Sequence, residues 1–154
     1  MIVDVPAKLA ERNLALPEPP KPGGAYESVR IIGGIAYVAA QFPFRQNTLL
    51  FRGRFGQELT TADGYQAAEM CALNVLAQIN HYVGFDRILG LNRIDAYMLT
   101  VDGWDEFPQV LDGASHLFLN VLGDAGRHAR ALFGVHRLPL NAPIELTASF
   151  TLHP

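Results

Sequence analysis

Residues 144–152 constrain the architecture of this chain more than any other stretch. In IELTASFTL, Ile144, Leu146, Ala148, Phe150 and Leu152 alternate with Glu145, Thr147, Ser149 and Thr151. A strand sends successive side chains to opposite faces, so this segment has one apolar side and one polar side. The apolar side requires a cover of helices. The polar side suits a wet contact with a neighbouring subunit, which predicts pockets between subunits.

The segment just before it carries a charge problem. His128–Val135 reads as a second strand, joined to the last one through Pro139 and Pro143. Arg130 sits among Ala129, Ala131, Leu132 and Phe133. A guanidinium keeps its charge because its pKa stays above about 12. Burying it unpaired costs several kcal/mol or more, roughly. Arg130 therefore either pairs with an acid or awaits an anionic ligand. Glu145 is the nearest candidate acid, as a pair across neighbouring strands. Period two places His128 on the same face as Arg130.

The rest of the chain supplies the cover. Asp4 caps a short helix with Pro6 in its first turn and Leu9 and Leu14 on one side. Pro17–Gly24 forbids regular structure and reads as an extended surface connector. Val29–Ala40, broken by Gly33-Gly34, predicts a hairpin, and Thr48–Phe51 a further short strand. Thr60–Val83 is the longest predicted helix. Thr60 or Thr61 can cap it, Tyr65, Ala68, Ala72, Val75, Ile79 and Val83 form its stripe, and Gly84 stops it. Cys71 reads as a small core residue. Arg93–Val101 predicts a strand, followed by a helix capped by Asp105 with Phe107, Val110, Leu111, Ala114, Leu117, Phe118, Val121 and Leu122 buried. The order predicts an α+β fold with two helices on one face of a mixed sheet.

Composition excludes several functions. Only 18% of the 154 residues are charged against 49% apolar, which leaves little polar surface for a monomer and points to an oligomer. A net charge of −3 argues against general binding to nucleic acid or anionic membranes. One cysteine permits no internal disulfide and suits a reducing, cytoplasmic setting. The N-terminus has no signal-peptide pattern, and no apolar run approaches the roughly 20 residues of a membrane span. The five histidines show no metal-ligand spacing, so no metal or cofactor is expected. Phosphate loops, a serine nucleophile elbow and RNA-binding aromatics are absent.

Four ordered motifs resemble one family. Gly24-Ala25-Tyr26 resembles a Gly-Pro-Tyr motif, and Ala39-Ala40-Gln41-Phe42-Pro43 a Ser-Gly-Gln-x-Pro motif. Ala129-Arg130 with Val135-His136-Arg137-Leu138-Pro139 resembles Ala-Arg…Val-x-x-Leu-Pro, and Ile144-Glu145-Leu146 resembles Val/Ile-Glu-Ile. These belong to the RidA/YjgF-type reactive-intermediate deaminases, also labelled L-PSP endoribonucleases or translation inhibitors. The resemblance runs from about Pro22 to the C-terminus. It implies a chorismate-mutase-like fold of the bacillus type, with residues 1–24 as a short helix and Pro-rich arm and 25–154 as one α+β domain. It also implies a homotrimer with inter-subunit pockets.

The implied activity is cofactor-free hydrolysis of 2-imino acids and enamines to 2-keto acids and ammonia. The implied catalytic residues are Arg130 and Glu145. Tyr26, Ala40, Gln41, Arg130 and Leu132 would bind substrate. Ala39-Ala40 and Leu132 depart from the Ser-Gly pair and the frequent cysteine of the family. Both make the pocket less polar and favour a bulkier imino acid, or binding without turnover, in a divergent subgroup. A carboxylate-binding protein without turnover is the alternative. An RNA-cleaving protein is a distant third, against which stand the acidic charge and the missing nucleophile–base pair.

Overall fold

The computed structural model describes residues 3–154. In chain order it has α1 (Val5–Ala10), β1 (Val29–Ile32), β2 (Ile35–Gln41), β3 (Phe44–Arg45), β4 (Thr48–Leu49), α2 (Thr61–Tyr82), β5 (Ile88–Leu99), α3 (Phe107–Leu122), β6 (Ala129–Val135) and β7 (Ile144–Leu152). The main sheet runs β1-β2-β7-β5-β6, and β3-β4 forms a separate small hairpin. All neighbours are antiparallel except β5 and β6, which run parallel. The α+β expectation stands, with α2 and α3 covering one face of a mixed sheet.

Local chemistry explains most boundaries. Asp4 accepts the Ala7 N–H at 3.0 Å and starts α1. Thr60 and Asp63 form a reciprocal capping box at the start of α2. Gly33 and Gly34, both at positive φ (58° and 76°), make the β1–β2 turn whose twist matches its strands. The cap of α3 falls on Glu106, not Asp105, and its side chain makes no capping hydrogen bond. Pro108 lies in the first turn of α3, where a missing N–H costs nothing.

Along β7, Ile144, Leu146, Ala148, Phe150 and Leu152 are buried, and the intervening Glu145, Thr147, Ser149 and Thr151 are only partly covered. The apolar row packs with Ala36 and Val38 of β2 and Ile94, Ala96 and Met98 of β5 under the helices. Fully burying Phe118 or Phe150 stabilises by about 1.5–3 kcal/mol each. Helix α2 is buried on more than its predicted stripe, because residues Ala67–Ile79 are nearly all inaccessible except Glu69. The two helices cross closely at Gly113, where a Cβ would stand 2.0 Å from the Tyr65 carbonyl oxygen. Cys71 is wholly buried, and desolvation pushes its thiol far above the ordinary range, as expected of an inert core residue. No helix among the described residues is long and apolar enough to cross a membrane.

Two irregularities matter for the site. Three residue steps of β2 from Val38 to Gln41 match two steps of β7, from Ala148 to Leu146, so Ala39-Ala40 form a bulge. Strand β5 begins at Ile88, five residues before the predicted Arg93, and has register shifts at Ile88/Gly90 and Leu91/Arg93.

Candidate active site

Arg130 lies near the start of β6 and projects toward the helices. Its Nη1 donates to Asp112 Oδ1 at 2.8 Å and to Ser115 Oγ at 3.0 Å, both on α3. Nη2 reaches only the Pro108 carbonyl, at 3.5 Å. Among the described residues Nε has no hydrogen-bond partner. Nη1 is thus held, while the Nε–Nη2 edge, the side that takes a carboxylate through two parallel hydrogen bonds, is left available. The ion pair is about one quarter exposed on the arginine side, at 26%, so it contributes no more than about 1 kcal/mol to stability.

The anchor extends further. His128 Nε2 lies 2.9 Å from Ser115 Oγ, and His128 Nδ1 lies 2.6 Å from the Gly126 carbonyl. A carbonyl only accepts, so Nδ1 donates to Gly126, and in the neutral imidazole Nε2 then accepts from the Ser115 hydroxyl. With the ring neutral, the order of donation runs Arg130 to Ser115 to His128 to Gly126. His128 does share a face with Arg130, as period two predicted.

Glu145 is not the partner of Arg130. Strand β5 separates β6 from β7, so the two strands are not neighbours. Register places Arg130 opposite Ile94 on the helix face. Glu145 lies opposite Tyr97, and Tyr97 opposite Phe133, on the open face. The expected Arg130–Glu145 pair is therefore replaced by Arg130–Asp112. Burial raises the Glu145 carboxyl above the ordinary glutamate range. Beside it, the rings of Tyr97 and Phe133 stack with centroids 5.2 Å apart and planes inclined by 17°.

Tyr26, Ala40 and Gln41 meet elsewhere. They line a cavity of about 470 Å³ with Pro20, Phe42, Phe44, Pro139 and Leu140. Gln41 is buried, donates to the Ala39 carbonyl at 2.9 Å and accepts from Gln78 Nε2 at 3.2 Å. Gln78 also donates to the Pro20 carbonyl at 2.7 Å, which ties the Pro-rich arm over α2. Tyr26 Oη accepts the Gly23 N–H at 3.0 Å. Leu132 packs partly buried against the core beside Arg130. Within one copy Gln41 lies opposite Leu146, the residue after Glu145, whereas Arg130 stands apart on the helix side of edge strand β6.

Asp112 and Ser115 escaped sequence reasoning. The usable signal was their three-residue spacing on α3, which puts two polar groups on one side of an apolar helix. Leu140 also escaped it, a non-glycine residue at φ 62° within a Pro-Leu-Asn corner.

The chain belongs to the family described as "YjgF/chorismate_mutase-like, putative endoribonuclease", whose model matches residues 6–150. It is similar over 96% of its length to a crystal structure described as a "putative endoribonuclease" from Shewanella oneidensis, with 33% identity, 99% of that chain covered and a TM-score of 0.93. Protein TCP17 of Trypanosoma cruzi is 32% identical over 151 residues, covering 97% of this chain and 94% of TCP17. RidA from an Antarctic Psychrobacter shares the fold at 19% identity, with a TM-score of 0.61 over 87% of this chain and 94% of RidA. These matches bear out the RidA/YjgF resemblance and the chorismate-mutase-like fold. Membership supports a small-molecule-binding or imine-deaminase role at the level of the family.

Proposed function

We propose that this chain hydrolyses 2-imino acids, and the enamines that tautomerise to them, to 2-keto acids and ammonia. The site would be completed by a second copy of the chain in a homotrimer. The observation that carries this is Arg130, whose Nη1 is fixed by Asp112 and Ser115 while its Nε–Nη2 edge is engaged only by a long 3.5 Å contact from Nη2 to the Pro108 carbonyl and can turn to a carboxylate. A charge-assisted double hydrogen bond fixes both the position and the orientation of the substrate carboxylate.

Two features support a shared site. Arg130 and Glu145 leave opposite faces of the sheet, so one copy offers a carboxylate clamp without a base beside it. β6 is also an edge strand, with backbone N–H and C=O groups facing away from β5 and free to meet a neighbour or a ligand. In this arrangement the clamp of one copy, with Leu132 and its backbone, faces the Tyr26–Ala40–Gln41 cavity and Glu145 of the next.

The mechanism follows from the groups. Arg130 holds the carboxylate, which brings the imine carbon to a fixed distance from a water. Glu145 orients that water and accepts its proton as the C–O bond forms; burial raises its carboxyl above the ordinary glutamate range, which makes it a stronger base than an exposed glutamate. Glu145 then returns that proton to the nitrogen of the tetrahedral carbinolamine and takes the hydroxyl proton as the C–N bond breaks, so that ammonia leaves and the C=O bond of the keto acid forms. Tyr26 forms one wall. No step calls for a metal or cofactor.

The decisive measurement is keto-acid release from imines generated in situ by an amino-acid oxidase, compared with buffer. Full turnover by Arg130→Ala removes the assigned role. Keto-acid binding without rate enhancement would identify the alternative, a carboxylate-binding protein. Ribonuclease activity that persists on repurification and falls with salt would favour the third.

A further inference from the structure

We propose that the cavity bounded by Tyr26, Ala40, Phe42, Phe44, Pro139 and Leu140 receives the substrate's side chain. It selects 2-imino acids with a large apolar side chain, branched or aromatic, over those with a methyl or ethyl group. This rests on the deaminase reading and names its substrate class.

Size is the first ground. A volume of about 470 Å³ lies within the roughly 300–1,000 Å³ that accommodates a drug-sized ligand, far more than a methyl group fills. Chemistry is the second. The walls are mostly ring and aliphatic carbon, with Lys21 and Ser28 as polar residues of the lining beside Gln41. The Gln41 amide is spent on Ala39 and Gln78, and Tyr26 Oη accepts from Gly23. A polar side chain seated against Phe42, Phe44, Pro139 and Leu140 would lose its water without a new partner on that wall.

Leu140 is the third and independent ground. It adopts φ 62°, a left-handed conformation that is costly for a branched side chain, and it remains 56% exposed at the cavity mouth. Such a conformation persists only where the surroundings impose it. Here Arg52 Nη1 donates to the Leu140 carbonyl at 2.6 Å, and the Gly53 and Ala142 N–H groups donate to the Asn141 and Pro139 carbonyls at 2.9 and 3.1 Å. A residue held this firmly outside the core, on the rim of an apolar cavity, supplies a wall for a ligand and little to folding.

The test compares imines made in situ from alanine, leucine and phenylalanine, together with calorimetric binding of pyruvate and phenylpyruvate. Leu140→Gly serves as the variant, because glycine adopts positive φ freely and the fold is kept. The wild type should favour the bulky substrates by about tenfold or more, since one buried methylene alone discriminates by roughly 10–200-fold. Leu140→Gly should lower the bulky-to-small ratio by about tenfold. Equal handling of alanine- and phenylalanine-derived imines, or a ratio unmoved by Leu140→Gly, overturns this assignment and leaves the deaminase reading standing. No turnover of any imine overturns the deaminase reading. In that case tighter binding of phenylpyruvate than pyruvate, lost in Leu140→Gly, would support the cavity's role by itself.

Discussion

Arg130 and Glu145 stand two strands apart and point to opposite faces of one sheet. A cation and a carboxylate so separated do not neutralise each other, and each is available to a third group. The consequence for function is that neither suffices alone.

Arg130→Ala should remove two hydrogen bonds to an ionised carboxylate, each worth about 1.5–3 kcal/mol. Keto-acid affinity should fall at least about a hundredfold, with Arg130→Lys intermediate because an ammonium cannot offer the parallel pair. Isothermal calorimetry on wild type and both variants measures it. Stability should fall by only about 1 kcal/mol, since the Asp112 pair is partly exposed and the Ser115 hydrogen bond is lost with it.

Glu145→Gln should abolish the proton-accepting step and leave carboxylate binding intact. Because burial raises the Glu145 carboxyl, the acid limb of the kcat/KM profile should lie above the ordinary glutamate range. The sign for stability is opposite to the usual carboxylate case. The folded state holds this proton more tightly than the unfolded one, so stability is present below the unfolded value and is lost as pH rises through the raised folded value. Glu145→Gln should therefore match wild type in acid and exceed it near neutrality. A urea titration at several pH values reads this out.

Ser115→Ala and His128→Ala should loosen the Arg130 anchor without touching substrate. The expected signature is a KM raised several-fold with kcat nearly unchanged. Each should also cost about 1 kcal/mol of stability as partly buried hydrogen bonds are lost. An unchanged KM in both variants would show that Asp112 alone positions the guanidinium.

Gly113→Ala should be severe for so small a change. Its new Cβ would meet the Tyr65 carbonyl oxygen at 2.0 Å, a backbone contact that no rotamer relieves, so α2 and α3 must separate. Overpacking of this kind costs typically about 1–3 kcal/mol, and helix propensity, which favours alanine, does not offset it. Thermal unfolding provides the measurement. Gly33→Ala is a milder comparison, since nothing stands within 4 Å and only its φ of 58° opposes a side chain.

Much of the fold was legible because its signals are local. The period-two row of β7, the Gly33-Gly34 turn and the Thr60 cap each depend on residues a few positions apart. The first part of β5 was not, because its register shifts break the alternation over Leu89, Gly90 and Asn92. The site was legible only as residue types. Tyr26, Ala40 and Gln41 share a cavity, whereas Arg130 took as its partner Asp112, eighteen positions earlier on α3. Nothing in the order of residues says that β5 lies between β6 and β7. That insertion is a property of the topology, and it decided which acid the arginine meets.

The Ala39-Ala40 bulge has a final implication for how this protein can change. The extra residue is what returns Gln41 to the helix face, opposite Leu146 and within reach of Gln78. Either alanine can be exchanged for another small residue at modest cost. Deleting one would rotate everything after it by half a turn of the pleat, casting the Gln41 amide out of the interior and away from Gln78. The chain length at this point works as a phase setting, so diversification here is open to substitution and closed to indels.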